Sequence, residues 1–195
     1  EIEEPTALEA FVLEPINISC NGAVDGSIVL EVVGGTPDYF FDWNVDALDD
    51  LQNPEGLNGG LYEVTITDLN GCSTTASANL TEPEVLNAFS TITELTCFGS
   101  TNGSIDIQVE GGTAPYAYDW NNGSFTNADL IDIAAGQYDL IVTDANGCAF
   151  NASYVLESPT EIQVLITNSS NYNGFNTSCF GEADGFVQIS ATGGK

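Results

Sequence analysis

Five cysteines, 29 carboxylates and two tryptophans carry nearly all of the chemistry in this chain of 195 residues. Histidine is absent, and the one basic side chain is Lys195. Cys20, Cys97 and Cys179 each open a Cys-x-Gly step, whereas Cys72 and Cys148 each close an Asp-x-Asn-Gly-Cys step. Thiols so placed can be oxidised to disulfides, stay free, or bind metal; without imidazole, and with only two thiols in each complete copy of the pattern below, a structural zinc site is disfavoured. Asp68, Asn70, Asp144 and Asn146 resemble the front half of a calcium loop, where oxygen ligands recur at alternate positions. The same residue types are ordinary turn formers, and the 12-residue loop with its closing bidentate Glu is missing. A hairpin turn and a weak calcium site both remain open.

The aromatic rows pose a similar choice. Tyr39, Phe41 and Trp43 share one face of an alternating run, as do Tyr116, Tyr118 and Trp120. Either row would serve as a sugar-stacking platform through Trp43 and Trp120, or as core. Large aromatics gain most from burial, and the intervening Asp42 and Asp119 suit a wet face, so core is favoured. For catalysis the chain lacks an imidazole base and an arginine clamp. Only a carboxylate pair of the glycosidase kind is left, and the acids differ from copy to copy. No catalytic residue and no cofactor is expected, weak calcium binding aside.

The elements that position these residues come from an internal repeat. Cys20 to Gly34-Gly35 returns as Cys97 to Gly111-Gly112 and as Cys179 to Gly193-Gly194, while Trp43 returns as Trp120. The period is about 77 residues, which fixes the module before any fold argument begins. Glu4-Pro5, Glu82-Pro83 and Ser158-Pro159 mark the seams. The expected organisation is the tail of a preceding module over 1–5, repeat one over 6–83, repeat two over 84–159 and a truncated repeat three over 160–195. Within each copy, period-2 alternation predicts strands. The inward sets are Ile28, Leu30, Val32; Ile105, Ile107, Val109; Val187, Ile189, Ala191; and Tyr62, Val64, Ile66 with Tyr138, Leu140, Val142. Asn-Gly between two such runs predicts a hairpin with a type I′ turn. No convincing helix is found; at most Asp46–Leu51 and Ala128–Ile133 would each form one short helical turn. Turn signals every 8–12 residues give an all-β chain of tandem immunoglobulin-like β-sandwich modules. The order Cys20, Trp43, Cys72 echoes the Cys–Trp–Cys of immunoglobulin domains.

Three segments together carry a family resemblance: Cys-Phe-Gly-x-x-x-Gly-Ser-Ile (Cys97 to Ile105), Gly-Gly-Thr-x-Pro-Tyr-x-Tyr-x-Trp (Gly111 to Trp120), and Gly-x-Tyr-x-x-x-Val-Thr-Asp-x-Asn-Gly-Cys (Gly136 to Cys148). They resemble the SprB repeat of Bacteroidetes cell-surface proteins, named for the gliding-motility adhesin SprB. Copy one departs at Asn21 and at Asp38, where the pattern has Phe and a Pro-Tyr step. The resemblance implies a secreted array on a bacterial cell surface, the type IX secretion route, and adhesion or gliding. It supplies no catalytic residues. Given secretion, one disulfide per complete module is expected, Cys20 with Cys72 and Cys97 with Cys148, leaving Cys179 unpaired. Closing a loop of about 50 residues in this way stabilises by roughly 4 kcal/mol in the chain-entropy model.

The formal net charge of −28 excludes nucleic acid and anionic membrane surfaces as partners, because both need Lys and Arg. No apolar run approaches the roughly 20 residues needed to cross a bilayer. The sequence reads as an extracellular structural stalk or adhesin repeat. Its expected partners are neighbouring repeats of the same chain, then surface polysaccharide or other cell-surface proteins. The alternatives are a carbohydrate-binding module, or a non-catalytic module of a secreted hydrolase.

Overall fold

A computed structural model describes residues 4–195, and among these the regular structure is strand apart from one 3-10 turn. Repeat one contributes β1 (Glu9–Val12), β2 (Gly26–Ser27), β3 (Leu30–Val33), β4 (Tyr39–Trp43), the 3-10 turn Asp46–Leu48, β5 (Glu55–Leu57), β6 (Gly60–Asp68) and β7 (Ser73–Leu80). Repeat two contributes β8 (Asn87–Thr93), β9 (Gly103–Glu110), β10 (Ala117–Trp120), β11 (Leu130–Ile133), β12 (Gly136–Thr143) and β13 (Ala149–Leu156). Two further strands, β14 (Thr160–Ser169) and β15 (Val187–Gly194), close the chain.

In repeat one, β4, β6 and β7 form a three-stranded antiparallel sheet, with Trp43 opposite Val64 and Tyr62 opposite Ala78. The pairs β1–β3 and β2–β5 supply the other layer. Ile28, Leu30, Phe41, Trp43, Leu57, Tyr62, Val64, Ile66, Ala78 and Leu80 fill the space between as one buried cluster. Repeat two has the same plan, with orders β10-β12-β13 and β11-β9-β8. Its counterparts Ile105, Ile107, Trp120, Tyr138, Leu140, Val142 and Leu156 are buried in turn. Each complete repeat is therefore an immunoglobulin-like β-sandwich, built from two sheets whose inward faces alternate with wet ones.

Two expectations need correction here. Ala128–Ile133 is not a helical turn: Leu130–Ile133 is strand β11, paired with β9. A register shift between Leu130 and Ile133 turns both residues inward, and this produces the three-residue apolar spacing of a helix. In the third copy Val187, Ile189 and Ala191 are exposed, because β14 and β15 pair only with each other and residues 160–195 hold no second sheet to cover them.

The double glycine has a steric cause. A Cβ on Gly34 would stand 1.9 Å from the Ala7 carbonyl oxygen, and one on Gly111 would stand 2.1 Å from that of Val85. Both glycines also sit in the left-handed region, at φ 72° and 71°. Gly34→Ala or Gly111→Ala must therefore displace the segment that leads into β1 or β8, at a cost of at least about 2 kcal/mol by denaturant unfolding. Gly71→Ala, at φ 83° but with nothing within 4 Å, should cost only the backbone strain of about 1 kcal/mol. Equal losses at the two kinds of position would contradict this account.

The chain packs as two compact units. One comprises Glu1–Ala88, Val109–Ala117 and Val142–Phe150; the other comprises Phe89–Gln108, Tyr118–Ile141 and Asn151–Lys195. The division does not follow the repeat period, since two loops of repeat two belong with repeat one.

Candidate functional site: the cysteine junction

Each Cys-x-Gly step forms a tight loop. The Ala23 N–H donates to the Cys20 carbonyl at 2.9 Å, and the Ser19 N–H donates to the Asp25 carboxylate at 3.1 Å. The same cap recurs as Thr96 N–H to Asn102 Oδ1 at 3.3 Å and as Ser178 N–H to Asp184 at 3.0 Å. Hydrogen bonds from the Ser19 side chain and then its backbone hold Asp25 below the usual carboxylate range, and Ser178 does the same for Asp184. These caps were missed in the sequence, although an Asp or Asn stands five residues after the cysteine in all three copies.

The Asn-Gly-Cys turn is built around a buried acid. Asp68 continues the inward face Tyr62, Val64, Ile66 and is only 3% exposed. Its carboxylate accepts from the N–H groups of Thr36 at 2.8 Å, Asn70 at 3.0 Å and Cys72 at 2.8 Å. Asp144 repeats this with Thr113, Asn146 and Cys148 at 2.8, 2.9 and 2.9 Å. The turn is not type I′. The Gly71 N–H donates to the Asp68 carbonyl and the Asp68 N–H to the Cys72 carbonyl, which leaves a three-residue loop with left-handed Gly71 at its end. The aspartate imposes this by binding the loop's own N–H groups. Both oxygens of Asp68 and of Asp144 accept from backbone N–H groups, so these carboxylates have a structural role in the turn. Asn70 donates to Thr36 Oγ1, and Asn146 donates to Thr113 Oγ1 and to the Ser19 carbonyl.

The Thr36 N–H lowers the Asp68 pKa against the upward push of burial, with Cys72, Asn70 and Gly71 adding to it. For Asp144 burial is the largest influence and acts upward, and the N–H groups of Thr113, Cys148, Asn146 and Gly147 together outweigh it. A lowered carboxylate pKa in the folded state means that the stabilisation is complete above the ordinary aspartate value and is lost as pH falls through the lower, folded one. The loss of stability from these two clamps should therefore set in as pH falls below the ordinary aspartate value and be complete below the folded one. Asp68→Asn should lower the midpoint at neutral pH and flatten the acid limb of a stability–pH profile; an unchanged limb would count against these clamps.

Loop and turn of one repeat lie at opposite ends of it. The Cys20 loop sits beside residues 81–83: Ile18 N–H donates to the Thr81 carbonyl, Asn21 Nδ2 to the Pro83 carbonyl and Gly22 N–H to Glu82. Cys72 immediately precedes β7, whose far end is Leu80. An eight-residue strand at about 3.3 Å per residue puts roughly 25 Å between the two sites. A disulfide needs Cα atoms within about 7 Å, so Cys20 cannot reach Cys72. Repeat two is arranged alike, with the Gly99 N–H directed at Ser158 beyond β13 while Cys148 precedes it. The expected Cys20–Cys72 and Cys97–Cys148 bridges are therefore replaced. Cys20 is bonded to Cys148, 128 residues on, with Cα atoms 5.7 Å apart. Cys72, Cys97 and Cys179 are free and exposed. Around the bridge, Asn146 Nδ2 donates to the Ser19 carbonyl at 2.9 Å. A hollow of about 400 Å³ is lined by Cys20, Asn21, Val85, Leu86, Gly147, Cys148 and Ala149.

The tryptophans are core. Trp43 is 3% and Trp120 0% exposed, and their indole N–H groups donate to the carbonyls of Leu51 at 2.8 Å and Asn127 at 3.0 Å. Neither offers a ring face to a sugar. A larger hollow of about 550 Å³ crosses the outer face of the β4-β6-β7 sheet, where Asp42, Asn44, Glu63, Thr65, Thr75 and Ser77 line it. Among the described residues no helix is long and apolar enough to cross a membrane.

The SprB repeat family model matches residues 14–47 and 89–125. Those two stretches are similar to the SprB repeat. In each match the stretch takes in the Cys-x-Gly loop, the double glycine and the core tryptophan, while the Asn-Gly-Cys turns lie outside both. No curated protein sequence matches the chain. Two solved structures resemble it in outline. One, on the structural basis for Dscam isoform specificity, is 16% identical over 80% of this chain and 46% of that chain, at a TM-score of 0.36. The other, the N-terminal eight Ig domains of Down Syndrome Cell Adhesion Molecule isoform 1.30.30, is 11% identical over 77% of this chain and 25% of that chain, at 0.38. The chain spans less than half the length of either, and the fold of its repeats rests on their own sheets.

Proposed function

We infer that this chain is a length-building segment of a secreted bacterial cell-surface protein, organised as 6–83, 84–159 and 160–195 after a short tail at 1–5. In this reading its job is to carry or constitute an adhesin, and attachment or gliding motility is the process served. The observation that carries it is the contrast between framework and surface. The three copies keep the loop cysteine, double glycine and loop cap, and the two complete ones keep the turn cysteine, the buried aspartate and the tryptophan. Their wet strand positions change freely, from Val29 and Glu31 to Asp106 and Gln108 to Gln188 and Ser190. A site repeated for chemistry must repeat its polar residues; a module repeated for length need repeat only what folds it. The excess of acid supports the reading too, since a like-charged segment resists collapse onto itself and onto anionic envelopes.

The same contrast supports a non-enzymatic role that needs no metal, with neighbouring repeats as first partners and surface polysaccharide or other surface proteins beyond. The test is deletion of whole repeats from the parent protein with surface attachment as readout, alongside glycan-binding, hydrolysis and calcium-chelation assays on this chain. Attachment should decline with repeat number, and the chain should neither bind nor cleave glycans nor lose stability to chelator. Turnover abolished by changing one carboxylate would replace the stalk with a secreted hydrolase.

A further inference from the structure

The Cys20–Cys148 bond joins the Cys-x-Gly loop of one repeat to the Asn-Gly-Cys turn of the next, and leaves one cysteine of each complete repeat unused. We propose that this is one rung of a staggered disulfide ladder, in which the loop cysteine of each repeat bonds the turn cysteine of the repeat that follows it. Wherever a copy follows, Cys97 takes that copy's turn cysteine; wherever one precedes, Cys72 is taken by that copy's loop cysteine. The proposal rests on the tandem-repeat part of the function above and is independent of adhesion.

Three observations lead there. Each repeat holds its loop and its turn about one strand length apart, so its two cysteines cannot meet. Both are presented outward: Cys72 and Cys97 are exposed, whereas their bonded counterparts Cys148 and Cys20 are half-buried by each other's surroundings. The local geometry at the unused cysteines is already that of the bonded ones. The Cys97 loop has the cap that the Cys20 loop has, Asn102 standing for Asp25. The Cys72 turn has the clamp that the Cys148 turn has, Asp68 standing for Asp144. Asn70 occupies the place from which Asn146 donates to the Ser19 carbonyl.

Each rung forms by thiol–disulfide exchange. Two thiols lose two protons and two electrons, one S–S bond forms, and an oxidant of the disulfide class is reduced to two thiols. In an array the consequence is that every repeat is covalently held to both neighbours by bonds separate from the main chain. A single backbone cut inside a repeat's bridged span would then leave the strand of repeats connected.

The test completes the third copy with known sequence. Residues 113–159 are placed directly after Gly194, so that the double glycine of copy three runs on as that of copy two does. Non-reducing peptide mapping should then find Cys97 bonded to the appended turn cysteine, Cys20 still bonded to Cys148, and Cys72 and Cys179 free. An appended cysteine bonded to Cys179, or a Cys97 still free while Cys20–Cys148 shows the chain folded, overturns the ladder. The unextended chain supplies a second measurement. Cys148→Ser should raise the free thiols from three to four, with Cys20 newly labelled by maleimide. A Cys20–Cys72 bond in that variant would equally overturn it.

Discussion

Replacing either Cys20 or Cys148 with serine is expected to lower the stability of the oxidised chain by the same large amount, and replacing both should cost no more than replacing one. A cross-link acts chiefly by removing freedom from the unfolded chain, and for partners 128 residues apart the chain-entropy model gives about 5 kcal/mol. The non-additivity follows because the two thiols have a single joint function. Cys72→Ser and Cys97→Ser are the controls: both residues are free and exposed, and should leave the denaturation midpoint where it was. Reductant should abolish every difference among these variants. Had the bridges closed within repeats, Cys20→Ser and Cys148→Ser would add, and Cys72→Ser would match Cys20→Ser. The pattern of the cycle therefore separates the two connectivities without reference to magnitudes.

The error about connectivity shows what a sequence of this kind reveals. Strand periodicity is local, so Tyr62, Val64 and Ile66 declared their buried face, and their counterparts in repeat two did the same. Continued by one step, that periodicity also placed Asp68 and Asp144 inside. A carboxylate on an inward face must find donors, so the clamp was legible there, although the Asp-x-Asn-Gly spelling drew attention to calcium instead. Which end of the sandwich the Cys20 loop occupies was not legible. It depends on the pairing of Ile18 with Thr81, 63 residues apart along the chain, and no local pattern encodes that. The equal placement of cysteines in the two copies was real information, but it fits bonding within a copy and bonding between successive copies alike. Only the strand length between loop and turn decides. The bulge in β11 misled for the opposite reason: it is a local irregularity that gives a strand the spacing of a helix.

The tryptophans offer the second large effect. Trp120→Ala removes a side chain with no exposed surface, and such deletions cost about 3–5 kcal/mol because the cavity collapses only in part. The loss here goes beyond volume. The Asn127 carbonyl is left without its donor, and Tyr154, whose ring centroid lies 5.9 Å from that of Trp120, loses its neighbour. Trp43→Ala should be similarly severe in repeat one, where it also frees the Leu51 carbonyl. For a domain of this size such a loss consumes much of the total stability, so the affected repeat should unfold well below the wild-type midpoint while Trp120→Phe falls between. Denaturant unfolding followed by near-UV circular dichroism measures this directly. A sugar-stacking platform predicts the reverse outcome: wild-type stability, with glycan binding lost on substitution. Because each indole N–H is spent on a main-chain carbonyl inside the sandwich, destabilisation without any change in ligand binding is the result the core demands.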